Sequence, residues 1–94
     1  MARVMARRGR VSETLDEYAF YVMLEDDESF KMKKGDIFIG MPYDMDPGIK
    51  VSVGFRVSDG YDPGCNQYWS SVRPLTETET NSVIWRKVRR IEEP

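Results

Sequence analysis

The sequence predicts one small all-β domain, a barrel or roll of about five short strands. Three observations lead to this fold class. The chain has 94 residues, enough for one hydrophobic core and too few for two. Apolar and polar residues alternate over residues 51–58, as on a strand with one buried face. Turns rich in glycine and proline recur about every ten residues, and closing a barrel removes exposed strand edges.

Residues 18–24 are predicted to form the first strand. They are mostly aromatic or aliphatic and apolar on both faces, which favours a strand covered on both sides. Thr14 and Glu17 match a helix capping box, so a helix is the alternative for this segment. The second strand is predicted over residues 36–41, after a turn at Gly35.

The clearest strand pattern covers residues 49–58, between two turns that contain Asp, Pro and Gly. These turns are residues 43–48 and 59–64, in which proline sets φ and glycine tolerates positive φ. A fourth strand is predicted over residues 68–72. Residues 83–91 are assigned to the last strand because Val, Ile and Trp favour strands. A terminal helix, and so an α+β fold, is the alternative there.

Charge is arranged in blocks, although the net charge is only −2. Residues 1–12 contain arginines and no acid, and we predict that they form a flexible basic arm. Residues 13–94 are predicted to form the single barrel domain. Residues 11–30 hold seven acids and no base, and a second basic cluster lies near the end of the chain. Such blocks steer charged partners or neutralise one another within the fold.

The composition argues against an enzyme. The chain has no histidine, which removes the usual general base, the commonest zinc ligand and any Ser-His or Cys-His pair. Asp44 and Asp46 begin like a calcium loop, but Phe55 stands where the last glutamate ligand is required. We therefore expect no catalytic residues, no metal site and no cofactor. With one cysteine, Cys65, and no apolar segment long enough for a membrane span, a cytoplasmic location is expected.

Residues 25–41 resemble the first half of an SH3 domain. An acidic loop and Phe30 lead into a Lys-Lys-Gly-Asp turn, and an apolar strand follows. The resemblance implies a small barrel in which residues 18–24 form the opening strand and residues 88–91 the closing strand.

The peptide groove of SH3 domains is matched less well. Tyr18 and Tyr21 correspond to the tyrosine pair of the opening strand, but Ile49 and Lys50 stand where the groove tryptophan is expected. No Pro-x-x-Tyr segment follows Tyr68. The resemblance therefore implies the barrel and leaves proline-rich peptide binding unsupported, because a shared fold does not carry function.

An up-and-down meander would bring two acidic loops to one end of the barrel. Residues 25–28 and the turn with Asp59 and Asp62 would then lie within about 10 Å of each other, as an acidic rim. The turn at residues 43–48 would lie at the other end of the third strand, about 30 Å away. Aromatic and methionine side chains near the turns are typical of interfaces. The predicted protein-binding residues are Asp26, Asp27, Tyr43, Met45, Asp59, Tyr61, Asp62, Tyr68 and Trp69.

The function expected first is a non-catalytic protein-binding module, an inhibitor or adaptor of the kind that phages and mobile elements direct at host proteins. The alternative is nucleic-acid binding through the basic ends, with Trp69, Trp85 or Tyr68 stacked on bases. Its predicted residues are Arg7, Arg8, Arg10, Arg86, Lys87, Arg89 and Arg90. A third possibility is a small-molecule or nucleotide sponge, which requires an oligomer because one small barrel encloses little space. The sequence leaves the oligomeric state open.

Overall fold

Five antiparallel strands curl into a half-barrel, as the sequence predicts, and one short helix follows them. The computed structural model describes residues 18–45 and 48–92. The strands lie in the order β4-β3-β2-β1-β5. Their bounds are β1 (Ala19–Met23), β2 (Ile37–Met45), β3 (Gly48–Arg56), β4 (Asn66–Tyr68) and β5 (Val72–Pro74), and the helix α1 spans Glu77–Arg86. The predicted arm at residues 1–12 and the capping-box residues Thr14 and Glu17 lie outside the described residues.

The hydrophobic core lies on the concave face of the sheet, which we call the inner face. Tyr21 on β1 stacks on Phe38 of β2, with ring centroids 5.8 Å apart. The loop between β1 and β2 adds the fully buried Met32. The other members of this core cluster are Met23, Val51, Val53 and Val72. The predicted strands at residues 18–24 and 49–58 are therefore confirmed, with small differences at their ends. The strand predicted over residues 36–41 is also present, but β2 continues to Met45, so the predicted turn at residues 43–48 is wrong in its extent: residues 43–45 belong to β2 and Gly48 begins β3.

The predicted strand over residues 68–72 is wrong in its extent. A 3-10 turn, Trp69–Ser71, separates β4 from β5. This turn takes the chain from one edge of the sheet to the other, because β4 and β5 are the two edge strands. β5 pairs with β1 and is the closing strand, whereas the predicted closing segment at residues 88–91 contributes one isolated bridge, Asp36 with Arg90.

Residues 83–91 do not form the last strand; the helical alternative is correct up to Arg86. The helix begins further upstream, in a polar stretch, through a capping box. The Thr76 hydroxyl accepts a hydrogen bond from Glu79 N (3.1 Å), and the Glu79 carboxylate accepts one from Thr76 N (2.9 Å). Lys87 ends the helix in the left-handed conformation, with φ of 62°. Local capping thus outweighs the strand preference of the following Val-Ile-Trp.

The helix lies beside the convex face of the sheet, which we call the outer face. Glu79 forms an ion pair with Arg73 of β5 (2.9 Å), and Arg73 is the register partner of Val22. Val22 and its own partner Ile37 alternate with the inner-face residues and are nevertheless fully buried. Among the described residues, no helix has the length and apolar character of a membrane span.

An ion-pair cluster around Asp36 joins three distant parts of the chain. Asp36 stands just before β2 and is only 3% exposed. Its carboxylate accepts hydrogen bonds from Arg56 at the end of β3 (3.1 Å) and from Arg90 after α1. The Lys33 N–H also donates to it (2.9 Å), and Ile91 N donates to the carbonyl of Gly35 (2.9 Å). The C-terminal segment is thereby attached to the sheet.

Replacing Asp36 by asparagine should lower the free energy of unfolding by about 3 kcal/mol, because it leaves two arginines facing a neutral group in a buried site. Urea denaturation at neutral pH measures this loss. The matched control is Asp59→Asn, which removes an exposed carboxylate that also pairs with Arg56 (2.9 Å). That change should cost much less than Asp36→Asn, because exposed ion pairs contribute little to stability. Equal losses in the two variants would contradict the central role of Asp36.

Acid should remove the contribution of Glu79. The hydrogen bond from Arg73 lowers the pKa of Glu79 from 4.5 to about 2. A carboxylate whose pKa is depressed in the folded state stabilises the fold above the unfolded pKa, and this contribution is lost as the pH falls from 4.5 towards 2. The stability difference between wild type and Glu79→Gln, measured by urea denaturation, should therefore shrink on acidification. The control is Glu77→Gln in the same helical turn; an unchanged Glu79→Gln difference at about pH 2 would refute the assignment.

Candidate protein-binding surface

The outer face of β1 and β2 presents a line of apolar side chains that the helix does not fully cover. On β2, residues alternate between the two faces, and Phe38 marks the inner one. Ile39, Met41 and Tyr43 therefore point outward, and each is half-buried. Phe20 of β1 is the register partner of Ile39 and is also half-buried. Side chains directly opposite each other on paired strands share a face, so these four form one continuous line.

The line continues across the sheet to β4. Tyr43 is the register partner of Lys50 on β3, and Lys50 is the partner of Tyr68 on β4. The ammonium nitrogen of Lys50 lies 4.6 Å from the centroid of the Tyr68 ring, a cation–π contact. Tyr68 is 51% exposed. This contact holds an aromatic ring against the sheet while leaving much of its surface accessible to a partner. We call the combined surface the outer-face strip; it consists of Phe20, Ile39, Met41, Tyr43, Lys50 and Tyr68.

β3 has small residues, Ser52 and Gly54, beside the strip. Ser52 is exposed and lies opposite Met41. Gly54 comes so close to β2 that a Cβ added there would lie 2.9 Å from the Ile39 carbonyl oxygen. Ser52 and Gly54 thus add no bulky side chain to the sheet beside Met41 and Ile39.

A groove opens at the helix end of the strip. Its volume is about 280 Å³, and two strip residues, Phe20 and Ile39, help to form it. The remaining lining residues are Tyr18, Ala19, Leu75 and Thr80. Since most of these side chains are apolar, the groove extends the strip as a site for an apolar group.

The predicted acidic rim lies at the other end of β2 and β3. Loops 24–36 and 57–65 meet there, as the meander predicts. Arg56 joins the two loops: it donates to the Lys31 carbonyl (2.7 Å) and to both Asp59 oxygens (3.0 and 2.9 Å). It also lies over the Tyr61 ring, 4.9 Å from the centroid. The hydrogen bond from Arg56 lowers the pKa of Asp59.

The other rim carboxylates also accept hydrogen bonds within the chain. Asp26 accepts from Lys34 N (2.8 Å), Asp27 from Gln67 Nε2 (2.9 Å) and Asp62 from Gly64 N (2.9 Å). These bonds order both loops, so the rim is an organised surface. The nine predicted protein-binding residues therefore do not form one patch. The rim contains five of them, whereas Tyr43 and Tyr68 belong to the outer-face strip.

Trp69 and Met45 complete the predicted set. Trp69 contacts Tyr21 edge-on, with centroids 6.2 Å apart, and is partly exposed beside the core. Met45 ends β2, and its side chain lies outside the described part of the structure. The strip residues that sequence reasoning missed are Phe20, Ile39, Met41 and Lys50. The alternation of residues 39, 41 and 43 was available in the sequence, but only the position of the core shows that these residues face outward.

The residues predicted to bind nucleic acid do not all have the same surroundings. Arg86, Lys87 and Arg89 are exposed around the end of α1, and Arg90 is held by Asp36. Arg89 donates to the carbonyls of Val83 (3.4 Å) and Val88 (3.2 Å). Arg7, Arg8 and Arg10 fall outside the described residues. Asp36 and Tyr43 stand at opposite ends of β2, about 23 Å apart at 3.3 Å per residue. The C-terminal basic cluster is thus attached to the sheet at the opposite end of β2 from Tyr43 of the outer-face strip.

The tyrosine pair implied by the SH3 resemblance does not lie on one surface. Tyr18 is strongly exposed, whereas Tyr21 is 3% exposed and packs in the core. Burial raises the pKa of Tyr21 to about 12. Ile49 is exposed, and Lys50 is engaged with Tyr68. Tyr21 acts as a core residue, and a groove built on both tyrosines is not formed.

No family model, curated protein or solved structure matches the chain. Among residues 18–45 and 48–92, no three His, Cys, Asp or Glu side chains are grouped so that they could hold a metal ion. Function is therefore inferred from the surfaces described above.

Cys65 is expected to react slowly with alkylating reagents. Its side chain is half-buried beside the core, and this burial raises the pKa of the thiol. Because the thiolate is the reactive form, iodoacetamide should modify the folded protein several-fold more slowly than the urea-unfolded protein at the same pH. Mass spectrometry of timed samples measures both rates. Equal rates would show that the thiol is as accessible and as acidic in the folded state as in the unfolded chain.

Proposed function

We propose that the protein is a non-catalytic protein-binding module whose partner lies against the outer-face strip. One observation carries this proposal: large apolar and aromatic side chains form a continuous, partly exposed line on the outer face of the sheet. Contiguous patches of this kind mark interaction sites, and Tyr, Phe and Met are enriched in them. Lys50 adds a cation within the strip that can pair with a carboxylate of the partner.

The strip is suited to tight binding because its framework is already ordered. Its side chains belong to four paired strands, so little backbone freedom is lost when a partner binds. The Lys50–Tyr68 contact fixes one aromatic ring before binding. Aromatic side chains of this type commonly provide most of the binding energy at an interface.

Nucleic acid fits the strip less well. Single strands are bound by aromatic platforms next to basic grooves that follow the phosphates. Lys50 is the only cation of the strip, and Arg90 is committed to Asp36 at the other end of β2. The net charge of −2 adds no general attraction for phosphate.

We further infer that the half-barrel belongs to the SH3-like class and that the protein is a cytoplasmic inhibitor or adaptor directed by a phage or mobile element at a host protein. The SH3-like assignment is supported by residues 25–41, where an acidic loop, a turn at Gly35 and β2 follow one another as the resemblance implies. The inhibitor role is supported by the small size and loop-rich composition, and the cytoplasmic location by the single cysteine.

The test is a nuclease-treated pull-down from a native host lysate, with tagged protein and a salt series, read by mass spectrometry. We expect one protein to be retained at stoichiometric level. Once purified, this partner should bind Tyr68→Ala about tenfold or more weakly than it binds wild type, because the change removes the exposed aromatic ring of the strip. The matched control is Tyr61→Ala, which removes a tyrosine from the rim.

Two outcomes would overturn the proposal. If Tyr61→Ala abolishes partner binding and Tyr68→Ala does not, the interface is the rim. If the retained proteins disappear with nuclease and nucleic acid elutes as salt rises, the chain is a nucleic-acid-binding protein. Urea denaturation of both variants confirms that each one is folded.

A further inference from the structure

Two large apolar side chains of α1 are exposed to solvent. Trp85 is 76% exposed and Ile84 is 43% exposed, whereas the preceding Val83 is buried. The helix thus buries only a narrow stripe and leaves its bulkiest residue in water. Tryptophan is enriched at interfaces, so an indole ring this exposed indicates a contact surface.

A hollow of about 310 Å³ lies along this side of the helix. It is lined by Thr78, Asn81, Ser82, Trp85 and Arg86, which recur at the spacing of one helix face. The lining offers hydroxyl, amide and guanidinium groups beside the indole ring, and it contains no carboxylate. From Thr78 to Arg86 the helix rises about 12 Å. This length matches about four residues of an extended chain.

The charge around the hollow is positive. Arg86 lines it, and Lys87 and the exposed Arg89 follow in the chain. Within the part of the chain that the structure describes, Arg86 and Lys87 form no ion pair, whereas Arg56, Arg73 and Arg90 each hold a carboxylate. The hollow therefore offers a solvent-exposed aromatic ring and the Arg86 guanidinium to a negatively charged ligand, and Lys87 follows as a second cation in the chain.

We propose that this hollow binds a short acidic segment of a partner protein. Its carboxylates pair with Arg86 and Lys87, and an apolar side chain packs on Trp85. Charge complementarity selects an acidic peptide, and the short cationic patch disfavours nucleic acid. A nucleic-acid strand needs a basic track over several nucleotides. Among the described residues, the uncommitted cations Arg86 and Lys87 are adjacent in the chain and Arg90 is already paired, so the basic patch is shorter than such a track.

The experiment measures fluorescence anisotropy of a fluorescein-labelled octapeptide of alternating glutamate and leucine, titrated with the full chain at low salt. We expect saturable binding with one peptide per chain, weakening as salt rises. Trp85→Ala and the double change Arg86→Gln with Lys87→Gln should each weaken binding about tenfold. Trp85 is largely exposed, so its removal should leave the urea midpoint unchanged.

Two matched probes and one matched variant complete the design. An octapeptide of alternating glutamine and leucine should bind at least about tenfold more weakly, because it lacks the carboxylates. A labelled short oligothymidylate should also bind more weakly than the acidic peptide. Tyr68→Ala should bind the acidic peptide like wild type, because it changes the outer-face strip alone.

Three results would overturn the proposal: tighter binding of oligothymidylate than of the acidic peptide, equal binding of the neutral peptide, or binding that the Trp85 and Arg86/Lys87 variants do not change. Absence of binding by all three probes would overturn it too. None of these results bears on the host partner of the outer-face strip, since that partner is tested with Tyr68→Ala.

Discussion

The carboxylate of Asp36 joins parts of the chain that are far apart in sequence. It stands at the start of β2, and its two arginine partners come from the end of β3 and from the segment after α1. Because an unpaired buried charge is costly, these three positions constrain one another. Arg56 extends the constraint, since the same guanidinium binds the Lys31 carbonyl and Asp59. The ion-pair cluster around Asp36 thus helps to fix the register of β2 with β3. It also holds loops 24–36 and 57–65 together and attaches the C-terminal segment to the sheet.

The outer face is the side of the sheet that remains accessible to a partner. Met32 from the first loop fills the core, so the inner face is covered by the chain itself. On the outer side Val22 and Ile37 are fully buried, and the ten residues of the helix rise only about 15 Å. The nine residues of β2 extend about 30 Å. A helix of this length is too short to cover the whole strand, and Met41 and Tyr43 remain partly exposed.

The strands and the shared loop end were predictable from the sequence because alternation and Asp-Pro-Gly turns act locally. The helix was only the alternative prediction, although Thr76 and Glu79 match its capping box, because Val, Ile and Trp at residues 83–85 favour a strand. The pairing of Asp36 with Arg56 was not predictable, since twenty residues separate them. The outer-face strip could be predicted from the sequence only in part. Alternation identifies two faces of β2, but the burial of Phe38 decides which face the core takes, and a register shift between Phe38 and Gly40 changes how β3 faces it.

Some charged side chains of the chain are already bound within the fold and others are not. This difference distinguishes the rim from the two candidate binding surfaces. The rim is rich in carboxylates, yet Asp26 and Asp62 accept hydrogen bonds from their own loops, and Asp27 accepts one from Gln67 of β4. Their lone pairs already hold the loops in place, so a basic partner would have to compete with these bonds. The outer-face strip and the helix hollow are different, since Tyr68 and Trp85 expose large rings and Arg86 holds no carboxylate among the described residues. Binding there adds contacts without breaking any that the fold requires, and this favours these two surfaces over the rim as sites for partners.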